Sequence, residues 1–310
     1  MSRFGQKTRL DGTLTNASIN SWFGGGFKAI NVFSLDYLVV AGGGGGGGAG
    51  AGGRGAGGAG AGGLRSTVTA SGGTPGTVES ILNLSTGTNY SLTVGAGGAG
   101  GNVTVGANGG NSKIATITSD GGGYGGAWNT SAGVAPAIGG SGGGMPDSTN
   151  MGSTAGAAGT ANQGFAGGDN AGNGGGQAGS GGGGAGSAGA NIGAAQVSDG
   201  SAGGSGVAVS ITGSSVTYAA GGQGGDRATN RAPSAASANT GNGGGGRSGA
   251  AGLTTGVGAN GGSGIVILKY PDALTATFSG GVIQTTAAPS GGYKVSTITA
   301  AGIADTVSWA

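Results

Sequence analysis

The sequence predicts an all-β fold in which short strands alternate with packed, extended polyglycine II helices, a glycine-rich sandwich without significant α-helix. Three observations predict it. Of 310 residues, 88 are glycine, and the run Gly42–Gly48 follows directly on the apolar stretch Tyr37-Leu38-Val39-Val40-Ala41. Short stretches rich in Val, Ile, Thr and Tyr recur between glycine blocks, the usual mark of strands. No window of eleven residues places apolar side chains at i, i+3, i+4 and i+7, the spacing a buried helix face needs.

The strand expectations, in chain order, are Leu35–Ala41, Leu64–Ala70, Thr77–Leu84, Asn89–Val94, Ser112–Thr118, Val207–Ile211, Ser215–Ala219 and Gly264–Tyr270. Past Pro271 the glycine blocks stop. Thr275–Phe278, Gly281–Thr285, Tyr293–Ile298 and Thr306–Trp309 alternate as strands do, so residues 272–310 read as a small C-terminal β-module. Residues 1–34 read as an N-terminal docking segment, in which Phe4, Trp22, Phe23 and Phe27 are the candidate contacts to a larger assembly; an ordinary capping strand is the other reading. The body is residues 35–271.

Between the strands lie blocks made of Gly, Ala, Ser and Asn: 42–63, 95–110, 120–144, 164–190, 221–225 and 241–264. Glycine loses more conformational entropy on folding than any other residue, so such blocks are flexible unless other backbones capture their amides. A polyproline II-type helix has three residues per turn and no internal hydrogen bonds, so its N–H and C=O groups point outward. Side by side, such helices pair those groups and meet the hydrogen-bonding requirement of a buried backbone. At ~3.1 Å per residue a block of about 20 residues would span roughly 60 Å. The alternative is flexible linker. The flanking strands argue against it, because an isolated hairpin is marginal in water.

Leu, Ile, Val and Phe make up only about 15% of the chain, yet the formal net charge is +2 with 7% charged residues, so charge repulsion does not hold the chain open. The absence of basic clusters speaks against nucleic acid. With neither cysteine nor histidine, thiol catalysis, disulfides, the usual zinc sites and histidine general-base chemistry are excluded. Nothing resembles a secretory signal or a membrane-spanning stretch, so the product is expected to be made in the cytoplasm without membrane insertion.

Tyr37–Ala41 with its glycine run, Tyr90–Gly98, Ile211–Tyr218 and Gly262–Pro271 occur in an order that resembles the glycine-rich domains of bacteriophage tail-fibre and other virion proteins. The resemblance covers residues 35 to 271. In composition it is also similar to the polyglycine-sandwich adhesins at tail-fibre tips, whose stacked glycine helices carry receptor-binding loops at one end. The conventional strands and distinct end modules depart from those adhesins. The resemblance implies a tail-fibre or spike component exposed on the virion. Its partners would be other virion proteins and a host cell-surface glycan or protein, and a homotrimer is compatible with it.

The motifs carry little catalytic chemistry. None of the five lysines follows a glycine, so no P-loop is present. Gly-x-Gly-x-x-Gly recurs by composition and lacks a βαβ setting. Gly221–Asp226 fits one calcium β-roll repeat, but such sites need tandem copies. No two of the ten carboxylates lie within three residues of one another, and most sit in turn-like contexts. Serine has no histidine partner. The chain is therefore expected to be no enzyme and to need no cofactor or metal.

Recognition is what is left. Tyr124, Trp128 and Asn129, then Met145 and Phe165, then Arg227 and Arg231 lie in loop-like stretches among the glycine blocks. Tyrosine and tryptophan join a large apolar ring to a polar tip and dominate binding hot spots. These seven are the candidate receptor-binding residues; plugging of loop ends or packing on a neighbouring subunit is the alternative. A capsid or tail decoration protein, an ice-binding protein and a disordered matrix former are the competing functional readings.

Overall fold

The computed structural model describes residues 31–129, 131–148, 151, 154–171, 178–193, 199–227, 230–249 and 255–310. Strands and turns are the only regular structure among them, with no helix. Phe4, Trp22, Phe23 and Phe27 lie outside the described residues.

One end of the molecule is a β-sandwich. Its first sheet runs in the order β15 (Ile283–Thr286), β16 (Tyr293–Ala300), β13 (Ile265–Pro271), β1 (Val32–Val40) and β3 (Leu64–Ser66), with β4 (Leu82–Ser85) paired to the first half of β1. The second sheet is β14 (Ala276–Phe278), β17 (Thr306–Trp309), β5 (Tyr90–Thr93), β6 (Ser112–Ile114) and β7 (Ile117–Ser119). The hairpin β10 (Val207–Val209) and β11 (Val216–Tyr218) lies over the other face of the first sheet.

The alternating direction of strand side chains explains how β1 joins two cores. Phe33, Leu35, Tyr37 and Val39 point one way, into a cluster with Val266, Leu268 and Tyr270 of β13, Leu92, Ile114, Val307 and Trp309. Leu38 and Val40 point the other way, with Ile265 and Ile267, onto Leu64, Val209, Ile211 and Tyr218. Burial on both faces is why Leu35–Val40 and Ile265–Leu268 read as nearly unbroken apolar runs rather than alternating ones. The Trp309 ring closes the first cluster, with centroids 5.2 Å from Phe33, 5.8 Å from Tyr270 and 6.1 Å from Tyr90.

The residues beyond 271 are tied into both sheets. β16 pairs with β13 from Val266↔Ile298 to Pro271↔Tyr293, and β17 pairs with β5 at Thr306↔Ser91. Three strand expectations need correction. Thr77–Leu84 is strand only from Leu82, as β4, where it pairs with the first half of β1. Ser112–Thr118 is a tight hairpin, β6–β7, because Ala115 takes a left-handed conformation (φ 50°) and reverses the chain. Leu64–Ala70 stops at Ser66, where Val68 N and the Ser66 hydroxyl close a local turn at 3.0 Å.

Beyond β1 the chain enters an array of glycine segments. From Gly42 to Gly48 the backbone donors turn through three neighbours in succession. Gly42, Gly45 and Gly48 donate to Gly110, Ala107 and Thr104; Gly43 and Gly46 to Gly262 and Ala259; Gly44 and Gly47 to Gly60 and Gly57, all at 2.9–3.1 Å. The carbonyls repeat the pattern toward three further segments: Gly42 and Gly45 accept from Gly122 and Gly125, Gly43 and Gly46 from Gly98 and Gly101, Gly44 and Gly47 from Gly244 and Arg247. Segment 42–48 thus has six neighbours. Segments 56–63 and 179–185 are surrounded in the same way, and the three lie side by side, sharing neighbours.

The approach leaves no room for side chains. A Cβ on any residue from Gly42 to Gly47 would fall on a carbonyl oxygen of an adjacent segment, Ala99 for Gly45 and Gly126 for Gly47. The blocks are also shorter than the sequence suggests. Block 42–63 folds back on itself at Gly52 and Gly53 (φ 111° and 71°), so each pass is a half-block, about 22 Å for seven residues at ~3.1 Å each.

At the margins of the array, where a neighbouring backbone is missing, side-chain carbonyls replace it. Asn111 Oδ1 accepts from Gly121 N at 2.8 Å and Asn108 Oδ1 from Tyr124 N at 3.0 Å, so a spacing of three on one segment serves the same spacing on the next. Asn260, Asn242 and Asn191 do the same for Gly100, Ala220 and Asp169 at 2.8–2.9 Å.

Replacing Gly45 by alanine is expected to cost about 3 kcal/mol or more, since both backbones would have to separate. Replacing Gly280, which has nothing within 4 Å of an added Cβ, is expected to stay within about 0.5 kcal/mol. Paired denaturant titrations decide this; equal stabilities would refute the steric account.

A second expectation concerns alkaline pH. The Tyr37 hydroxyl donates to Glu79 Oε2 at 2.9 Å beneath the Arg65–Glu79 ion pair, and burial followed by that bond pushes its pKa above the ordinary tyrosine range. Burial moves Tyr218 the same way. Above about pH 10 the unfolded tyrosines lose protons that the folded state keeps, so stability should fall as pH rises. Tyr37→Phe should give a shallower fall between about pH 9 and about pH 11, read from urea midpoints; parallel slopes would count against the assignment.

Candidate functional site

The hydrogen-bond registers show which turns share an end. Segment 42–48 leads away from β1, so its Gly48 side is distal to the sandwich. Segments 57–63 and 104–110 run back against it, and 95–101, 121–128 and 241–247 run with it. The reversals at Gly52–Gly53 and Val103 therefore gather at the distal end, as do β8 (Ala127–Trp128) and β9 (Gly133–Val134). β2 (Ala49–Gly50) joins them there, pairing in parallel with β8 and antiparallel with β12 (Thr255–Gly256).

Charge is confined to the ends. Between Ala41 and Gly264 the stretches 41–53, 55–63, 95–110, 121–146, 178–192, 200–225 and 232–246 hold no charged residue. Arg54, Asp147, Asp226, Arg227, Arg231 and Arg247 stand where segments reach the distal end. A charge inside the array would have neither water nor room.

Three arginines organise this end. Arg54 Nη1 meets Asp147 Oδ1 at 3.0 Å, and its guanidinium carbon lies 4.5 Å from the centre of the Trp128 ring. Arg231 grips Asp226 through Nε (2.7 Å) and Nη2 (2.9 Å), and also reaches the Gln223 side chain (3.0 Å) and the Gly224 carbonyl (2.8 Å). The Asp226 hydrogen bond raises the Arg231 pKa further, against the opposing pull of burial. Arg247 donates to Asn230 Oδ1 at 2.7 Å and to the Arg231 carbonyl at 3.3 Å. Gln223 also borders a cleft of about 360 Å³ that runs back along the flank of the array toward the sandwich, walled by Ala202, Gly203, Gly221, Ser234 and Asn242.

The structure brings Trp128, Asn129, Met145, Arg227 and Arg231 to this one end, and leaves two candidates along the array. Tyr124 lies mid-segment, half-buried, with its N–H on Asn108; Phe165 lies toward the sandwich, bonded through its backbone to Gly142 and Gly184. Two candidates are corrected. Trp128 is 3% exposed beneath Arg54, and Met145 is fully buried, its N–H held by the Ser180 hydroxyl at 2.7 Å. Neither presents a surface to a receptor, because large side chains here fill space between segments. Asn129 has a structural duty: its Oδ1 accepts from Ser131 N and Ala132 N at 2.9 and 2.8 Å and shapes the turn. Arg227 is exposed.

Arg54 and Arg247 were not singled out from sequence. The available signal was a lone charge at the edge of a glycine run, Gly52-Gly53-Arg54-Gly55. Among the described residues no group of three or more Asp and Glu is placed to hold a metal ion, and no helix is long and apolar enough to cross a membrane.

A family model described as a glycine-rich domain matches residues 27–271. The chain belongs to that glycine-rich domain family. No curated protein matches it in sequence.

Arg54→Met keeps an apolar stem over Trp128 but removes the charge opposite Asp147, whose side chain is fully buried. It is expected to cost about 3 kcal/mol, and the double change with Asp147→Asn much less, since a broken buried pair costs more than a deleted one. A double-mutant cycle on thermal unfolding checks this; simple additivity would mean the pair is not coupled.

Proposed function

We propose that this member of the glycine-rich domain family is a non-enzymatic bacteriophage virion protein, a tail-fibre or spike component that presents its distal end to a glycan on the host cell surface. Its glycine segments are read as polyglycine II helices, forming a stiff support. The observation that carries the proposal is the gathering of chain reversals and arginines at the end opposite the sandwich. Rigid scaffolds with clustered loops are a common way to build binding surfaces. In this reading residues 1–34 dock to the particle through Phe4, Trp22, Phe23 and Phe27, and the exposed Arg227 at the distal end contacts the receptor.

A capsid or tail decoration protein with a purely structural role is the second reading. The burial of Trp128 and Met145 favours it, since the large side chains at the distal end are spent on packing.

The test is retention of the purified chain on an array of bacterial surface glycans. At least one glycan should be retained, and Arg227→Ala should weaken that binding about tenfold, roughly 1.4 kcal/mol. Retention of none, together with antibody labelling along the capsid or tail shaft rather than at fibre ends, would favour the decoration role.

A further inference from the structure

The opposite end of the molecule carries a second cleft that plays no part in the distal site. It has a volume of about 450 Å³, within the range of small-ligand sites. Its floor is the outer face of the first sheet: Lys269 of β13, Val295 and Thr297 of β16, and Thr285 of β15. The β10–β11 reversal at Ile211–Gly213 closes one side, and Ala287, Ala288 and Ser290 the other.

We propose that this cleft binds an acidic saccharide, a sugar ring bearing a single carboxylate of the uronic acid type. Lys269 supplies the charge recognition. Its Nζ lies 4.6 Å from the centre of the Tyr293 ring, and among the described residues no carboxylate comes within 4.0 Å of it. Asp36, its register partner on β1, instead accepts from the Thr67 hydroxyl at 2.9 Å. An ammonium has three donors, and resting on a ring face leaves donors for a carboxylate.

The remaining groups suit a sugar. Thr285 and Thr297 face each other across β15 and β16, and neither hydroxyl has a hydrogen-bond partner among the described residues, so both are open to sugar hydroxyls. Tyr293 is 41% exposed and gives apolar area with a polar tip; Ile211 and Val295 add an apolar wall. One cation among hydroxyls matches one carboxylate better than a multiply charged phosphate.

The experiment is titration calorimetry of the full chain with a trigalacturonate and with a neutral galactose trisaccharide. The acidic sugar should bind and the neutral one at least tenfold more weakly. Lys269→Met should lose about tenfold in affinity for the acidic sugar while melting with the unaltered protein. Should that variant fail to fold, Thr285→Val with Thr297→Val serves in its place, with the same loss expected. Absence of heat at about 1 mM trigalacturonate, equal affinity for both sugars, or a folded variant that binds as well as the unaltered protein would overturn the proposal.

Discussion

Backbone-to-backbone hydrogen bonding between glycine segments is the constraint on which the rest of the structure depends. Segment 42–48 gives seven N–H groups to three neighbours and takes donors from three others, with a repeat of three residues. That exchange works only while the chains stay close enough for carbonyl oxygens to occupy the places where Cβ atoms would stand. Glycine is thus required by contact, and its entropic cost is offset by amides that are almost all bonded. Alanine enters where a methyl fits, as at Ala56, Ala59 and Ala61, all fully buried. Serine enters where a hydroxyl can replace a missing donor or acceptor, as Ser180 does with Met145 N.

An array of this kind has little apolar side-chain surface to hold its ends in register, and the sandwich supplies it. β1 and β13 run into segments 42–48 and 257–264, so the two strands that bury both faces also aim two segments of the array. Trp309, from the second sheet, seals the same core, which makes the C-terminal residues part of the scaffold. The register of the segments that reach the distal end thus begins with large side chains packed at the opposite one.

The limits on side chains also shape where chemistry can occur. Charged groups are confined to the ends, and even there packing claims most of them. Arg54, Trp128 and Asp147 form one interlocked group, Arg231, Gln223 and Asp226 another. What is not spent on packing is the small remainder: Arg227 at the distal end, a backbone-walled cleft along the flank of the array, and Lys269 with Tyr293 at the sandwich.

Much of this was legible in the sequence. The strands read at Leu35–Ala41, Asn89–Val94 and Gly264–Tyr270 announce themselves because β-branched and aromatic residues stand out sharply against glycine; the first and last, buried on both faces, leave continuous apolar runs, while Val32–Ser34, which begin β1, fell in the segment read as docking. The all-β class follows from the missing helical period, which depends only on local order along the chain. The sequence could also mark Trp128 and Arg231 as unusual, but not as buried or paired, since burial depends on what other segments bring. Only the tertiary structure decided that block 42–63 is two antiparallel passes, that Asn108 and Asn111 serve Tyr124 and Gly121, and which turns share an end. Glycine and alanine have no side chains that distinguish one neighbour from another, so the pairing of segments is settled by the three-dimensional register of backbone groups.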